Sequence, residues 1–278
     1  MQIQSKTFRD IRWIYLIMAA AIMLGCAFPT RIKAPANEYS LGIYNAVESI
    51  NPGDIALVIW NVDPYQDATL AMDIVARHII QKGGYVVWYV ESAATLPYML
   101  FEMDQVYGPN WRNSPNYGKT FVNMGYIPVS EITLTNIARD ASLVFKADIY
   151  GTPVSQLPIM ANLHDGNDVR LIQGFPGAWN IIASIYAPYG TKYLHVENIG
   201  GLVGRIQNYR AGQMSGILAG ATGVAQYETL TGISEPMAWR YITPMLILAA
   251  LAAIGFIVPN VNYAISKSRA KQVVKEGA

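Results

Sequence analysis

Two long apolar runs frame the chain, one near each end, and between them short apolar runs alternate with amphipathic stretches. Residues 55–60 (Ile-Ala-Leu-Val-Ile-Trp) and 85–90 (Tyr-Val-Val-Trp-Tyr-Val) are apolar at every position rather than at alternate ones. Continuous hydrophobicity in short segments rich in β-branched and aromatic side chains marks strands buried on both faces, as in a parallel sheet. The segment 39–50 predicts an amphipathic helix with Ser40 as its cap, stopped by the turn Asn51-Pro52-Gly53-Asp54. A second helix is expected over 67–81, with Leu70, Ile74 and Ile79 inward and Gly83-Gly84 ending it. Farther on, the pattern predicts helices over 95–107, 130–140 and 178–187, and strands over 142–146, 169–173 and 192–196. Residues 108–118 read as an irregular loop, and 209–230 as a last long helix. Strands alternating with helices imply βαβ units, so the expected fold class is α/β with a doubly wound, mostly parallel Rossmann-like sheet.

The framing runs predict membrane helices on either side of this domain. Residues 13–28 carry no charge, follow Lys6, Arg9 and Arg12, and precede Pro29. They approach the ~18–20 apolar residues that cross a bilayer core. A basic start and a short apolar core also suit a secretory signal. Met23-Leu24-Gly25-Cys26 resembles a lipoprotein cleavage site, but its leucine sits one place too close to the cysteine and no small pair precedes it, which favours a retained helix or signal anchor. Residues 241–258 are uncharged throughout, with Thr243-Pro244 suiting a first turn and Pro259-Asn260 closing or kinking the helix. The expected organisation is an N-terminus at 1–12, a first span at 13–30, an α/β domain at 31–238, a second span at 239–260 and a basic tail at 261–278. Lys6, Arg9, Arg12, Lys267, Arg269, Lys271 and Lys275 lie outside the spans, against Arg31, Lys33 and Arg240 on the domain side. This asymmetry places both termini in the cytoplasm and the domain outside the cell membrane. Ala21 and Gly25, and Ala249 and Ala253, are small pairs at a spacing that suits close helix approach.

Composition changes the picture little. Charged residues are 14% of the chain, against roughly 25% in soluble proteins, and the deficit falls in the two framing runs. A net charge of +1 gives no reason to expect nucleic acid as a partner. The only cysteine, Cys26, excludes a disulfide framework and a multi-cysteine metal site.

Ligands of open parallel sheets bind beyond the carboxyl ends of the strands. Those ends carry Asn61-Val62-Asp63, Glu91-Ser92, Gly174-Phe175-Pro176-Gly177 and Glu197-Asn198. The candidate ligand-binding residues are therefore Asp63, Glu91, Gly174, Gly177, Glu197 and Asn198, with helix capping and loop solvation as the bland alternative. Gly174 to Gly177 lies where backbone amides meet anions, but it lacks the spacing of a nucleotide loop. His195 and Glu197 flank one strand position and should point the same way. His164-Asp165-Gly166-Asn167-Asp168 resembles a fragment of a calcium loop without the full ligand run. His78 falls mid-helix and is expected to be structural or half-exposed. No metal site, cofactor motif, serine elbow or catalytic cysteine is evident. Gly212, Gly216 and Gly220, read as helical, would form one bare stripe, packed against the domain's own sheet or a neighbouring helix, or serving as an interaction face for a second subunit.

With no catalytic signature, the leading expectation is a non-enzymatic component of a membrane complex, its α/β domain acting in assembly or scaffolding. Its partners would be the lipid bilayer and other membrane subunits or further copies of itself. A small-ligand-binding or sensory domain is the second reading. A membrane-bound hydrolase or transferase built on Asp63, Glu91, His195 and Glu197 is the third.

Overall fold

The apolar runs become strands because each is covered on both sides. A computed structural model describes residues 11–30, 32–62, 67–174, 177–233 and 237–276. Its strands are β1 (Ile55–Trp60), β2 (Tyr85–Val90), β3 (Phe121–Tyr126), β4 (Val169–Gly174), β5 (Lys192–Glu197) and β6 (Gly216–Ala219). They form one six-stranded, all-parallel sheet in the order β3-β2-β1-β4-β5-β6. Nine α-helices accompany it among the described residues: α1 (Ile11–Ala27), α2 (Glu38–Glu48), α3 (Ala68–Gln81), α4 (Leu96–Tyr107), α5 (Glu131–Arg139), α6 (Trp179–Tyr186), α7 (Leu202–Arg210), α8 (Gly220–Thr231) and α9 (Met237–Glu276). The chain divides into Lys33–Ala238 and a second unit made of its two ends, from Met1 to Ile32 and from Trp239 on.

In the α/β unit, Leu57, Ile59, Val87, Tyr89, Ile172, Tyr193 and Ile217 share a core with Leu134 and Ile137 of α5 and Ile182 and Tyr186 of α6. The opposite strand positions, among them Val58, Trp60, Trp88 and Gln173, are also buried. On that side Gln173 donates to the Met72 carbonyl of α3 at 2.8 Å, and α2 and α8 pack on β6.

Several expectations need correction. The cap of α2 is Asn37, whose side chain accepts from the Ser40 amide, while the Ser40 hydroxyl accepts from the Asn37 amide in a reciprocal capping box. Residues 142–146 are no strand: a 3-10 turn occupies Ala141–Leu143. β3 was not anticipated, because its Asn123 and Gly125 interrupt the apolar run. Asn123 is fully buried and accepts from the Gly125 amide at 2.8 Å where the β2–β3 register slips, so the polar pair builds a bulge within a buried strand. The expected helix over 209–230 is instead the end of α7, a turn, β6 and α8. Gly212 therefore sits in a turn at φ +74°, Gly216 in a strand and Gly220 at φ +56° where α8 begins. They do not share a helical face. A Cβ on Gly216 would collide with the Ile43 amide nitrogen, and one on Gly42 with the Ser215 carbonyl. The glycines let the backbones of α2 and β6 touch.

In the second unit, α9 starts at Met237 and runs through both Pro244 and Pro259 to Glu276, so neither proline bounds it. It is the one described helix long and apolar enough to cross a membrane, over Met237–Lys267. The apolar helix at Trp13–Ala27 is shorter. A Cβ on Gly25 would stand 2.7 Å from Pro244 Cα, Ala21 is buried, and the Thr30 amide donates to Thr243 Oγ1 at 2.9 Å. Ala21 and Gly25 thus do mark a close helix approach, but opposite Pro244; Ala249 and Ala253 are exposed.

Candidate functional site

Strand order reverses between β1 and β4. From β1 the chain builds outward to β2 and β3, then returns to the other side of β1 for β4, β5 and β6. Ligands of open parallel sheets generally bind at such a switch in strand order, beyond the carboxyl ends of the strands. Gly174, the last residue of β4, pairs with Ile59 on one side and His195 on the other. It follows Ile172 by two positions and so belongs to the same face. Two polar groups stand on either side of it, at the ends of β2 and β5.

The first group centres on Glu91, just past β2. One carboxylate oxygen, Oε1, receives the Asn61 side-chain amide from the end of β1 and the Gly177 backbone amide, at 3.1 Å, from the loop after β4. Glu91 thus ties together the ends of three strands. Its other oxygen, Oε2, is buried and has no hydrogen-bond partner among the described residues. Burial pushes the Glu91 carboxyl above its usual range, against the pull of the Gly177 and Asn61 donors. The hydroxyls of Tyr89 and Tyr186 are also buried without a partner.

The second group lies on β5, where alternation puts Tyr193, His195 and Glu197 on one face. The Tyr193 hydroxyl is 2.8 Å from His195 Nδ1, and His195 Nε2 is 3.3 Å from Glu197 Oε2. Arg205 of α7 donates from Nε to the same Glu197 oxygen at 2.9 Å, and the Asn198 amide donates to the other at 3.0 Å. Gly201 lets the chain pass directly against the Glu197 carboxyl. Burial holds the His195 imidazole below its ordinary pKa. Burial would raise Glu197, but the donors from His195 and Asn198 and the charge of Arg205 outweigh it, so Glu197 stays ionised. A neutral His195 donating from Nε2 to Glu197 and accepting from Tyr193 at Nδ1 satisfies all three side chains. The Arg205 guanidinium also lies 5.3 Å from the centre of the Trp179 ring.

The expected residues thus fall into two groups flanking Gly174: Glu91 with Gly177, and Glu197 with Asn198. Asp63 lies outside the described residues, as do Phe175 and Pro176. The Gly177 amide, a possible anion donor, is taken by the Glu91 carboxylate. The pairing of His195 with Glu197 is as strand alternation predicts. Tyr89, Tyr186 and Arg205 were not singled out. Tyr89 stands two residues before Glu91 and was legible by the same alternation, whereas nothing local points to the other two.

Other polar clusters are structural. His78 is buried, not half-exposed, with Nδ1 2.8 Å from the Tyr227 hydroxyl and Nε2 3.0 Å from Glu48. Asp165 and Asp168 accept backbone amides of their own turn. No group of three or more metal-ligating side chains occurs among the described residues. Comparison with known protein families, curated proteins and solved structures gives no match.

Proposed function

We propose that this chain is a membrane-anchored ligand-binding protein, its doubly wound, Rossmann-like domain taking a small polar ligand in the crevice over Gly174. The observation that carries this reading is Glu91: a carboxylate at the strand-order switch, fixed through one oxygen and left buried and unpaired at the other. Buried polar atoms in folded proteins are met by protein, water or ligand, so an unmet one at a switch point is a recognition group. Helices α1 and α9 serve as the anchors, with α9 supplying the full span. The fully bonded Tyr193–His195–Glu197–Arg205 chain forms the rigid far wall.

A thermal-shift screen of the detergent-solubilised protein against amines, sugars, nucleotides and metals tests this. At least one class should raise the melting temperature, and Glu91→Gln should remove that response while leaving the unliganded melt within ~1 kcal/mol of the parent. A response indifferent to Glu91→Gln would place the ligand elsewhere.

A second reading, a non-enzymatic component of a membrane complex, is favoured by a 750 Å³ apolar cleft between α1 and α9, lined by Ile14, Ile17, Met18, Leu251 and Gly255. A cleft of that kind accepts a further apolar helix. A detergent-corrected mass equal to one chain, with nothing co-purifying, would count against it.

A further inference from the structure

His78 and His195 are both buried, one on each side of the sheet, and each stands in the same run of four groups. On β5, the Tyr193 hydroxyl meets His195 Nδ1, His195 Nε2 meets Glu197, and Arg205 of α7 donates to that carboxylate. On the other side, the Tyr227 hydroxyl of α8 is 2.8 Å from His78 Nδ1, and His78 Nε2 is 3.0 Å from Glu48 Oε1 at the end of α2. Lys82, just past α3, donates to Glu48 Oε2 at 3.0 Å. In both chains a phenol meets Nδ1, a carboxylate meets Nε2 and a cation meets the carboxylate. The first chain ties β5 to α7, and the second ties α2, α3 and α8 together. Facing His78 are Glu48 and Tyr44 from α2, Lys82 from the end of α3 and Tyr227 from α8. Facing His195 are Tyr193 and Glu197 from β5 and Arg205 from α7, while α6 contributes the Trp179 ring.

Only a neutral imidazole fits either place. It donates once, from Nε2 to the carboxylate, and accepts once, at Nδ1 from the phenol. Protonation sets a second N–H against the phenolic hydrogen, and neither Tyr193 nor Tyr227 has another hydrogen-bond partner among the described residues. The new charge also stands beside a cation that already holds the same carboxylate. We propose that the two chains are acid-released latches: a proton on His78 frees α2 and α8 from α3, a proton on His195 frees α7 from β5, and the parallel sheet stays formed. The latches are independent of any ligand at Glu91. Burial holds both imidazoles below their ordinary 6.5, against the pull of Glu48 and Glu197. The released form therefore binds the proton better than the latched one. Latching is complete above pH 6.5 and is lost as pH falls toward the lower native values. Lys82 holds Glu48 below the usual carboxylate range, and Glu197 stays ionised. From about pH 6.5 to about pH 5 the protons thus go to the histidines rather than to their carboxylates.

Amide hydrogen exchange of the full-length protein in detergent, corrected for the intrinsic rate at each pH, tests the latches at about pH 7.5 and about pH 5. At the lower pH, α2, α7 and α8 should lose roughly tenfold of their protection, while β1, β2 and β4 keep theirs. His78→Gln retains an acceptor for Tyr227 and a donor for Glu48 but cannot take up a proton. It should hold α2 and α8 closed in acid and leave α7 to open, and His195→Gln should do the reverse. Should either variant fail to fold, carbon-13 NMR of the parent's histidine rings decides instead. Each buried ring should take up its proton only as the helices it ties lose protection. Equal loss across helices and strands is ordinary acid unfolding and would overturn the latches, as would unchanged protection at about pH 5. Opening that survives both glutamine substitutions, or a protonated His78 or His195 ring beneath helices that are still protected, would overturn them too.

Discussion

Glu102, on α4, shows how a single buried carboxyl sets a pH response. It is 8% exposed, and burial, with the Asp73 charge adding to it, pushes its carboxyl up to about 8. Arg77 opposes this but is committed to Asp73 at 2.7 Å and to the Gln105 carbonyl at 2.6 Å. The native pKa lies above the ordinary 4.5, so the unfolded chain ionises first as pH rises. Stability is then full below about pH 4.5, falls as pH climbs to about 8, and levels beyond. Glu102→Gln keeps the shape and removes the ionisation. It should leave stability near pH 4 almost unchanged and raise it by up to about 5 kcal/mol near pH 9, since each unit of separation between 4.5 and about 8 is worth ~1.4 kcal/mol. Urea melts of parent and variant across that range decide it; parallel pH profiles would refute it. At this scale the sequence was readable where chemistry follows local spacing. His195 and Glu197 share a face by alternation alone, and Glu91 falls at a strand end. The atoms that complete the site were not readable, because Asn61 and Gly177 meet Glu91 across separations of 30 and 86 residues.

Elements were legible where burial is uniform and hidden where polar residues do structural work. The hexapeptides of β1 and β2 are apolar at every position and read directly as strands. β3 and β6 do not. Asn123 and Gly125 build a bulge in β3, and β6 is a four-residue strand whose leading glycine also fits a helical spacing. Period alone cannot choose between a glycine that bares a helix and one that lets a helix approach a strand. Gly216 is the second kind: an added Cβ would stand 2.7 Å from the Gly42 carbonyl carbon and 2.6 Å from Ile43 Cγ1. Gly216→Val should therefore force α2 off the sheet and cost ~1–3 kcal/mol or more in a chemical melt of the full-length protein. Gly212→Ala is the control. Its Cβ would meet open space, and only its positive φ is disfavoured, at a cost of ~1 kcal/mol. Equal losses for the two would mean that the α2–β6 contact does not carry the stability assigned to it.

For the whole molecule, the proposed membrane anchoring raises the question of which side the domain would occupy. Helix α9 continues past Pro259 to Glu276, a rise of roughly 60 Å, well beyond the ~30 Å hydrocarbon core. Its far end carries Lys267, Arg269, Lys271 and Lys275 as a basic extension. Together with Lys6, Arg9 and Arg12, these charges favour cytoplasmic termini and an extracytoplasmic domain under the positive-inside tendency. Asn116 offers a reporter, being exposed in the irregular segment before β3. In a Cys26→Ala background, which removes the only native thiol, Asn116→Cys should react with a membrane-impermeant maleimide on intact cells. Lys271→Cys in the same background should react only after lysis. Because Asn116 is exposed, its failure to label intact cells cannot be ascribed to burial in the fold. The reverse pattern, with Lys271→Cys labelled on intact cells and Asn116→Cys protected until lysis, would invert the orientation. It would also place Glu91 on the cytoplasmic side.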